Sequence, residues 1–209
     1  MDNHQEDQQI QKIKAWYARC GKNIIWIFIL IILAFVGWNL SRYLEHKQVV
    51  KARVLYGALN KAVDQNDKKQ VARIVLDMED KFRNIAYAKM TALLAAKILD
   101  GSGDSVASKK HLQWVIEGSK DNEYRQLAKL RLAGLLLDQK EYEEGLKVLS
   151  SVPSPSFIGL FEDRRGDLLA AQDKIEAARI AYKLSLEKLD TKEVSLREFI
   201  QFKLDALGG

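Results

Sequence analysis

The alternation of apolar and polar positions divides the chain into three parts. Apart from Met1, the first eight residues are polar. From residue 9 to 20, Ile10, Ile13, Trp16, Tyr17 and Cys20 recur at helical spacing, with Lys12, Lys14 and Arg19 between them. That pattern predicts a short helix lying on a membrane surface, its basic side chains towards lipid headgroups; a disordered polar tail is the other reading. Gly21 is a candidate bend after it. From Asn23 to Ser41 there is no charged residue, and apolar side chains cover every face. Such a stretch of roughly 19 residues covers about 28 Å as a helix, close to the hydrocarbon thickness of a bilayer. Trp26 and Trp38 fall near its two ends and Tyr43 just beyond, where interfacial rings are expected. The spacing predicts one transmembrane helix over residues 23–41. A buried core helix rarely needs so long a run of Ile, Leu and Phe, and a cleaved signal peptide would end in small residues. Here Val36-Gly37-Trp38-Asn39-Leu40 is too bulky for a cleavage site. Gly37 would let a neighbouring helix approach the span closely.

After Ser41 the periodicity is helical throughout, with breaks at Gln65-Asn66-Asp67, Gly101-Ser102-Gly103, Gly118-Ser119, Gln139-Lys140 and Pro153-Ser154-Pro155. Aligned with itself at a shift of 33 residues, the chain matches small residues with small and large with large. Ala133 falls on Gly166, Gly145 on Ala178, Leu136 on Leu169 and Leu149 on Tyr182. A weaker earlier copy holds Ala96, Ser108 and Leu112. Two antiparallel helices approach closely only where each offers a small side chain, and large residues a turn away then fill the groove between hairpins. The pairs Ala96/Ser108, Ala133/Gly145 and Gly166/Ala178 each lie twelve positions apart. In this they resemble the tetratricopeptide repeat, although its first-helix Trp and closing Pro are mostly missing. The expected fold is all-α: an N-terminal transmembrane helix followed by a solenoid of tetratricopeptide-repeat-like α-α hairpins. The expected parts are a leading segment 1–22, the span 23–41 and a helical domain 42–209, with repeats near 85–118, 122–153 and 156–189.

Charge and composition narrow the function classes. The net charge of +5 comes from basic residues scattered among acidic ones, with no block of the kind that binds nucleic acid. One cysteine excludes an internal disulfide and any multi-cysteine metal site. The three histidines lie far apart without a second candidate ligand at metal spacing. Ser185-Leu186-Glu187-Lys188 fits the Ser-x-x-Lys acyl-enzyme motif but has no companion motif. No dinucleotide, phosphate-loop or zinc-protease signature occurs. The expectation is therefore no enzyme, no cofactor and no metal. The charges flanking the span, Lys12, Lys14, Arg19 and Lys22 before it and Arg42, Lys47, Lys51 and Arg53 after it, nearly balance. They leave the orientation open.

The order of parts carries a more specific likeness. A polar leader is followed by Trp16-Tyr17-Ala18-Arg19-Cys20-Gly21-Lys22-Asn23. Then come the span ending Val36-Gly37-Trp38, a helix from near Glu45-His46-Lys47, and hairpins containing Leu130-Arg131-Leu132-Ala133 and Arg164-Arg165-Gly166-Asp167-Leu168-Leu169. This resembles the YfgM family, the ancillary subunits of the bacterial SecYEG translocon. The resemblance implies a cytoplasmic N-terminus, a single pass through the inner membrane and a periplasmic repeat domain. It implies as partners SecYEG, the membrane-anchored periplasmic chaperone PpiD and translocating polypeptides. The likeness to tetratricopeptide arrays implies a concave face lined by the first helix of each hairpin. In the register above that face holds Lys97, Asp100, Leu137, Asp138, Asp167 and Ala171. A targeting receptor of the mitochondrial-import kind, or a scaffold for cell-wall enzymes, would use the same architecture with other partners.

Overall fold

The computed structural model describes the backbone of residues 3–208 and the side chains of residues 26–208. Among these there are helices and turns and no strand. The chain falls into two units, Met1–Val50 and Lys51–Gly209.

Helix α1, Asn3–Asp64, begins in the first unit and ends in the second. Its backbone continues through Gly21, where the sequence allowed a bend. The expected surface face from Ile10 to Cys20 lies, with the side chain of Asn23, outside the described residues. Among the described residues, one helix is long and apolar enough to cross a membrane. Its best window has a mean hydropathy of 1.9 and none of it is buried. A soluble protein's core helix would hide that surface, so a core helix is not what this is. Trp26 and Trp38 are 63% and 65% exposed. Ser41 is exposed too, and nothing stands within 4 Å of where a Cβ on Gly37 would be. At the trailing end the Arg42 guanidinium lies 5.6 Å from the centre of the Trp38 ring, and Lys47 Nζ lies 4.5 Å from that of Tyr43. Aromatic rings paired with cations suit a membrane–water boundary.

The second unit is a row of helical hairpins. The tail of α1 packs with α2 (Lys68–Lys81), α3 (Ala86–Gly101) with α4 (Ser105–Gly118), and α5 (Asn122–Asp138) with α6 (Tyr142–Val148). A short 3-10 turn, Pro155–Phe157, leads into α7 (Ile158–Ala171), which pairs with α8 (Ile175–Lys188); α9 (Val194–Ala206) follows. One turn recurs inside each hairpin. Asn66, Gly103, Lys140 and Asp173 all adopt positive φ, between 55° and 87°. The next residue in each case donates its N–H to the carbonyl five positions back: Asp67 to Ala62, Asp104 to Leu99, Glu141 to Leu136 and Lys174 to Leu169. This is the left-handed cap that satisfies a helix's last carbonyls, and its fourfold recurrence defines four hairpins. Asp67 and Asp104 then cap the following helices, accepting from the N–H of Gln70 and Ala107 at 3.0 Å each.

The close approaches occur where small residues stand. Ser108 Oγ donates to the Ala96 carbonyl at 2.9 Å, which ties α4 to α3 at their crossing. A Cβ on Gly145 would lie 2.7 Å from Leu168 Cδ2, and one on Gly166 would lie 2.6 Å from Tyr182 Cδ1. Ala133 and Ala178 are fully buried. Four apolar clusters follow one another along the row, centred on Leu59 and Met78, on Leu112 and Leu136, on Phe161 and Leu168, and on Tyr182 and Ile200. Each hairpin buries its face against its neighbours, the packing of a solenoid.

Candidate protein-binding groove

Helices α3, α5 and α7 are the first members of successive hairpins, and together they border a groove of about 560 Å³. Leu127, Leu130 and Leu160 give it apolar walls; Lys97, Asp100, Arg131, Asp138 and Arg164 supply charge of both signs. Arg131 is held in place by donating through Nη1 to the Leu93 carbonyl at 2.9 Å, a bond from α5 back to α3. Gly134 faces Arg164, whose Cζ would be 3.6 Å from a Cβ there, so the guanidinium lies across α5 without crowding. Apolar walls with mixed charge suit a polypeptide segment, which offers apolar anchors and polar backbone at once.

The six residues placed by sequence on the concave face separate in the structure. Lys97, Asp100 and Asp138 line this groove and are exposed. Leu137 instead packs against the cluster of Ala133, Leu149, Phe161 and Leu168. Ala171 is exposed at the end of α7 and does not line the groove. Asp167 belongs to an ion-pair network. Lys203 Nζ, reaching over from α9, lies 2.7 Å from both Asp163 Oδ1 and Asp167 Oδ1. Tyr182 Oη donates to Asp167 Oδ1 at 2.9 Å, and Arg164 Nη1 approaches its other oxygen at 3.2 Å. Burial pushes the Asp163 carboxyl up, while the Lys203 ammonium pulls it back down. Burial, reinforced by Asp167, raises the Tyr182 phenol far above its ordinary range, so it remains a hydrogen-bond donor.

A second cavity, of about 370 Å³, lies between the tail of α1, α2, α3 and α4. Val63, Val71, Val75, Leu76, Ile98 and Leu99 line it, with His111 at its edge. His111 Nδ1 is 2.6 Å from Glu79 Oε1. Sequence reading missed this cavity because it had placed no hairpin there; the one available signal was the Gln65-Asn66-Asp67 break. Ser185, the serine of the Ser-x-x-Lys sequence, is fully buried and donates to the Gly159 carbonyl at 2.7 Å, a bond that joins α8 to α7. Lys188 is exposed and pairs with Glu187. The motif spells packing, not an acylation site. Among the described residues there is no group of three His, Cys, Asp or Glu side chains able to hold a metal ion.

Comparison with known proteins places this arrangement among relatives. A family model of the tetratricopeptide repeat-like domain matches residues 14–209. A Neisseria gonorrhoeae protein named ancillary SecYEG translocon subunit is 30% identical over 208 residues, covering 97% of each chain. Proteins of the same name from Haemophilus influenzae and Escherichia coli are 26% and 24% identical. The first match covers 84% of this chain and 89% of the relative, the second 97% and 96%. No solved structure matches the chain.

Proposed function

This chain belongs to the YfgM family of ancillary SecYEG translocon subunits, built on a tetratricopeptide repeat-like domain, and from that premise we propose that it is a non-enzymatic accessory of the channel. Its repeat domain receives polypeptide segments as they emerge and brings them to membrane-anchored chaperones of the PpiD kind. The N-terminus lies in the cytoplasm and the repeat domain in the periplasm, with α1 crossing the inner membrane between them. The observation that carries this reading is the groove along α3, α5 and α7, whose apolar walls and mixed charges fit peptide better than any small reactant.

The groove predicts a charge effect separable from stability. Among the described residues Asp138 makes no side-chain hydrogen bond or ion pair, and it is exposed on the rim. Reversing it with Asp138→Lys, together with Lys97→Glu, is expected to lower in-membrane crosslinking to translocating chains and to PpiD roughly two- to fivefold. That is the range for losing one or two exposed charge contacts. The thermal midpoint should stay within about 4 °C of the parent, as for two surface changes of at most about 0.5 kcal/mol each. Undiminished crosslinking would remove the groove from the mechanism. Protease added to spheroplasts should digest the repeat domain, and digestion only after lysis would reverse the orientation.

The span offers a second contact. With Trp26, Phe28, Phe35 and Trp38 exposed, it presents large rings to whatever lies beside it in the bilayer. Exchanging residues 23–41 for an unrelated apolar helix is expected to leave the protein in the membrane fraction but reduce its co-purification with SecYEG. Full co-purification would make the span a tether alone.

A further inference from the structure

Where α3 begins, α4 ends and α5 begins, the chain forms a half-open cavity of about 190 Å³, apart from the groove. Lys89 lines it and is only 4% exposed, yet its ammonium has no hydrogen-bond partner. Nζ lies 3.7 Å from the centre of the Trp114 ring. The ring face stabilises the charge but leaves the ammonium's three N–H donors without a conventional acceptor. A second cation converges on the same place. A Cβ on Gly118 would stand 3.0 Å from Lys89 Nζ and 3.5 Å from Arg83 Nε, and Arg83 also lies over Trp114, at 5.9 Å. Burial, then the field of Arg83, pulls the Lys89 ammonium down to about 8. Lys120 borders the cavity as well.

Two carboxylates are near, Asp121 in the cavity lining and Glu79, whose charge favours the Lys89 ammonium, but neither accepts a hydrogen bond from it. Asp121 caps α5, accepting from the Glu123 N–H at 2.8 Å, and Glu79 is held by His111. Helix α3 has no side-chain cap at its N-cap Ile85; the Ile85 and Ala88 N–H groups donate to the Phe82 and Ile85 carbonyls, and Ala86, the first residue of the helix, lines the cavity. The Ala86 N–H and the positive end of a sixteen-residue helix therefore meet a buried ammonium that has no hydrogen-bond acceptor.

We propose that this cavity is an oxyanion site that takes a phosphate group, with Lys89, Arg83 and the Ala86 N–H at the start of α3 as its donors. The group is either free phosphate or the phosphate of an anionic lipid headgroup. A phosphate carries more charge and more acceptor oxygens than a carboxylate, which matches the excess of cations and donors here. The volume is that of about six waters, enough for one such group.

The test uses the full chain, reconstituted in nanodiscs of phosphatidylcholine or of phosphatidylcholine with phosphatidylglycerol, at matched ionic strength. In phosphatidylcholine, 10 mM inorganic phosphate should raise the thermal midpoint by about 3 °C through ligand linkage. If the lipid phosphate is the occupant, phosphatidylglycerol alone should give that rise and added phosphate nothing more. Lys89→Met should abolish the rise while its own midpoint, without either anion, is at or above the parent's, because it removes an unpaired buried charge. Arg83→Gln, at an exposed position, should weaken the response without unfolding the protein. No rise with phosphate or phosphatidylglycerol, or an equal rise in Lys89→Met, would overturn the site.

Discussion

Replacing Lys203 with methionine is expected to lower the thermal midpoint of the repeat domain by roughly 6–12 °C, as the loss of about 3 kcal/mol would do in a domain of this size. The ammonium bridges two carboxylates, and the three side chains are 18%, 12% and 14% exposed. Without it Asp163 and Asp167 face one another in a poorly hydrated site, and a buried charge left unpaired costs far more than a surface pair contributes. The pH dependence fixes the cause. Burial already raises the Asp163 carboxyl in the folded chain, so folding favours its protonated form, and ionisation costs stability as pH rises through the unfolded-state value. Lys203 offsets that cost. The deficit of the variant should therefore be smallest in acid, where Asp163 is protonated in both states, and grow as the pH rises through the carboxylate range towards the raised folded-state value. Adding Asp163→Asn and Asp167→Asn should recover most of the loss at neutral pH. Circular dichroism melts of the detergent-solubilised protein would measure this, and a deficit equally large in acid would mean that lost packing, not charge, was responsible.

Asp167 also illustrates where sequence reading stops. The repeat register placed it towards the concave face, but its fate is decided by Lys203, 36 residues later on a helix that the three-copy alignment did not reach. Small residues twelve apart mark the other hairpins in the sequence, because close helix crossings demand them. In each found copy the small residue lies seven positions before the left-handed turn: Ala96 before Gly103, Ala133 before Lys140, Gly166 before Asp173. The same position before Asn66 is Leu59, and its partner twelve on is Val71. With large residues at that crossing, the hairpin of the α1 tail and α2 gave no such signal, and its membership in one long helix hid its start. The span was legible because lipid imposes length and apolarity on consecutive residues. The Lys89 cavity was not, because two segments distant in sequence, the start of α3 and the turn from α4 into α5, assemble it.

Glycine at position 166 makes the crossing of α7 and α8 possible, and Gly166→Ala is expected to destabilise the protein by about 2 kcal/mol, lowering the midpoint by roughly 4–8 °C. On an exposed helix the same change would stabilise by about 0.5–1 kcal/mol through backbone entropy and propensity. Here the added methyl falls on the Tyr182 ring, 2.6 Å from Cδ1 and 2.9 Å from Cζ, closer than carbon atoms approach. The ring has little freedom to yield. It is 3% exposed, and its hydroxyl is bound to Asp167, which Lys203 holds in turn. Moving it either breaks that bond or pushes α8 off α7, so the steric cost spreads into the ion-pair network. Gly57, inside α1 with nothing within 4 Å of its missing Cβ, is the internal control: Gly57→Ala should raise the midpoint slightly. Tyr182→Phe, which frees the ring from Asp167, should soften the Gly166→Ala penalty, a coupling that a double-mutant cycle reads directly. Strict additivity of the two changes would show that the ring yields without help from its hydroxyl, and that the small residue at this crossing serves backbone approach alone.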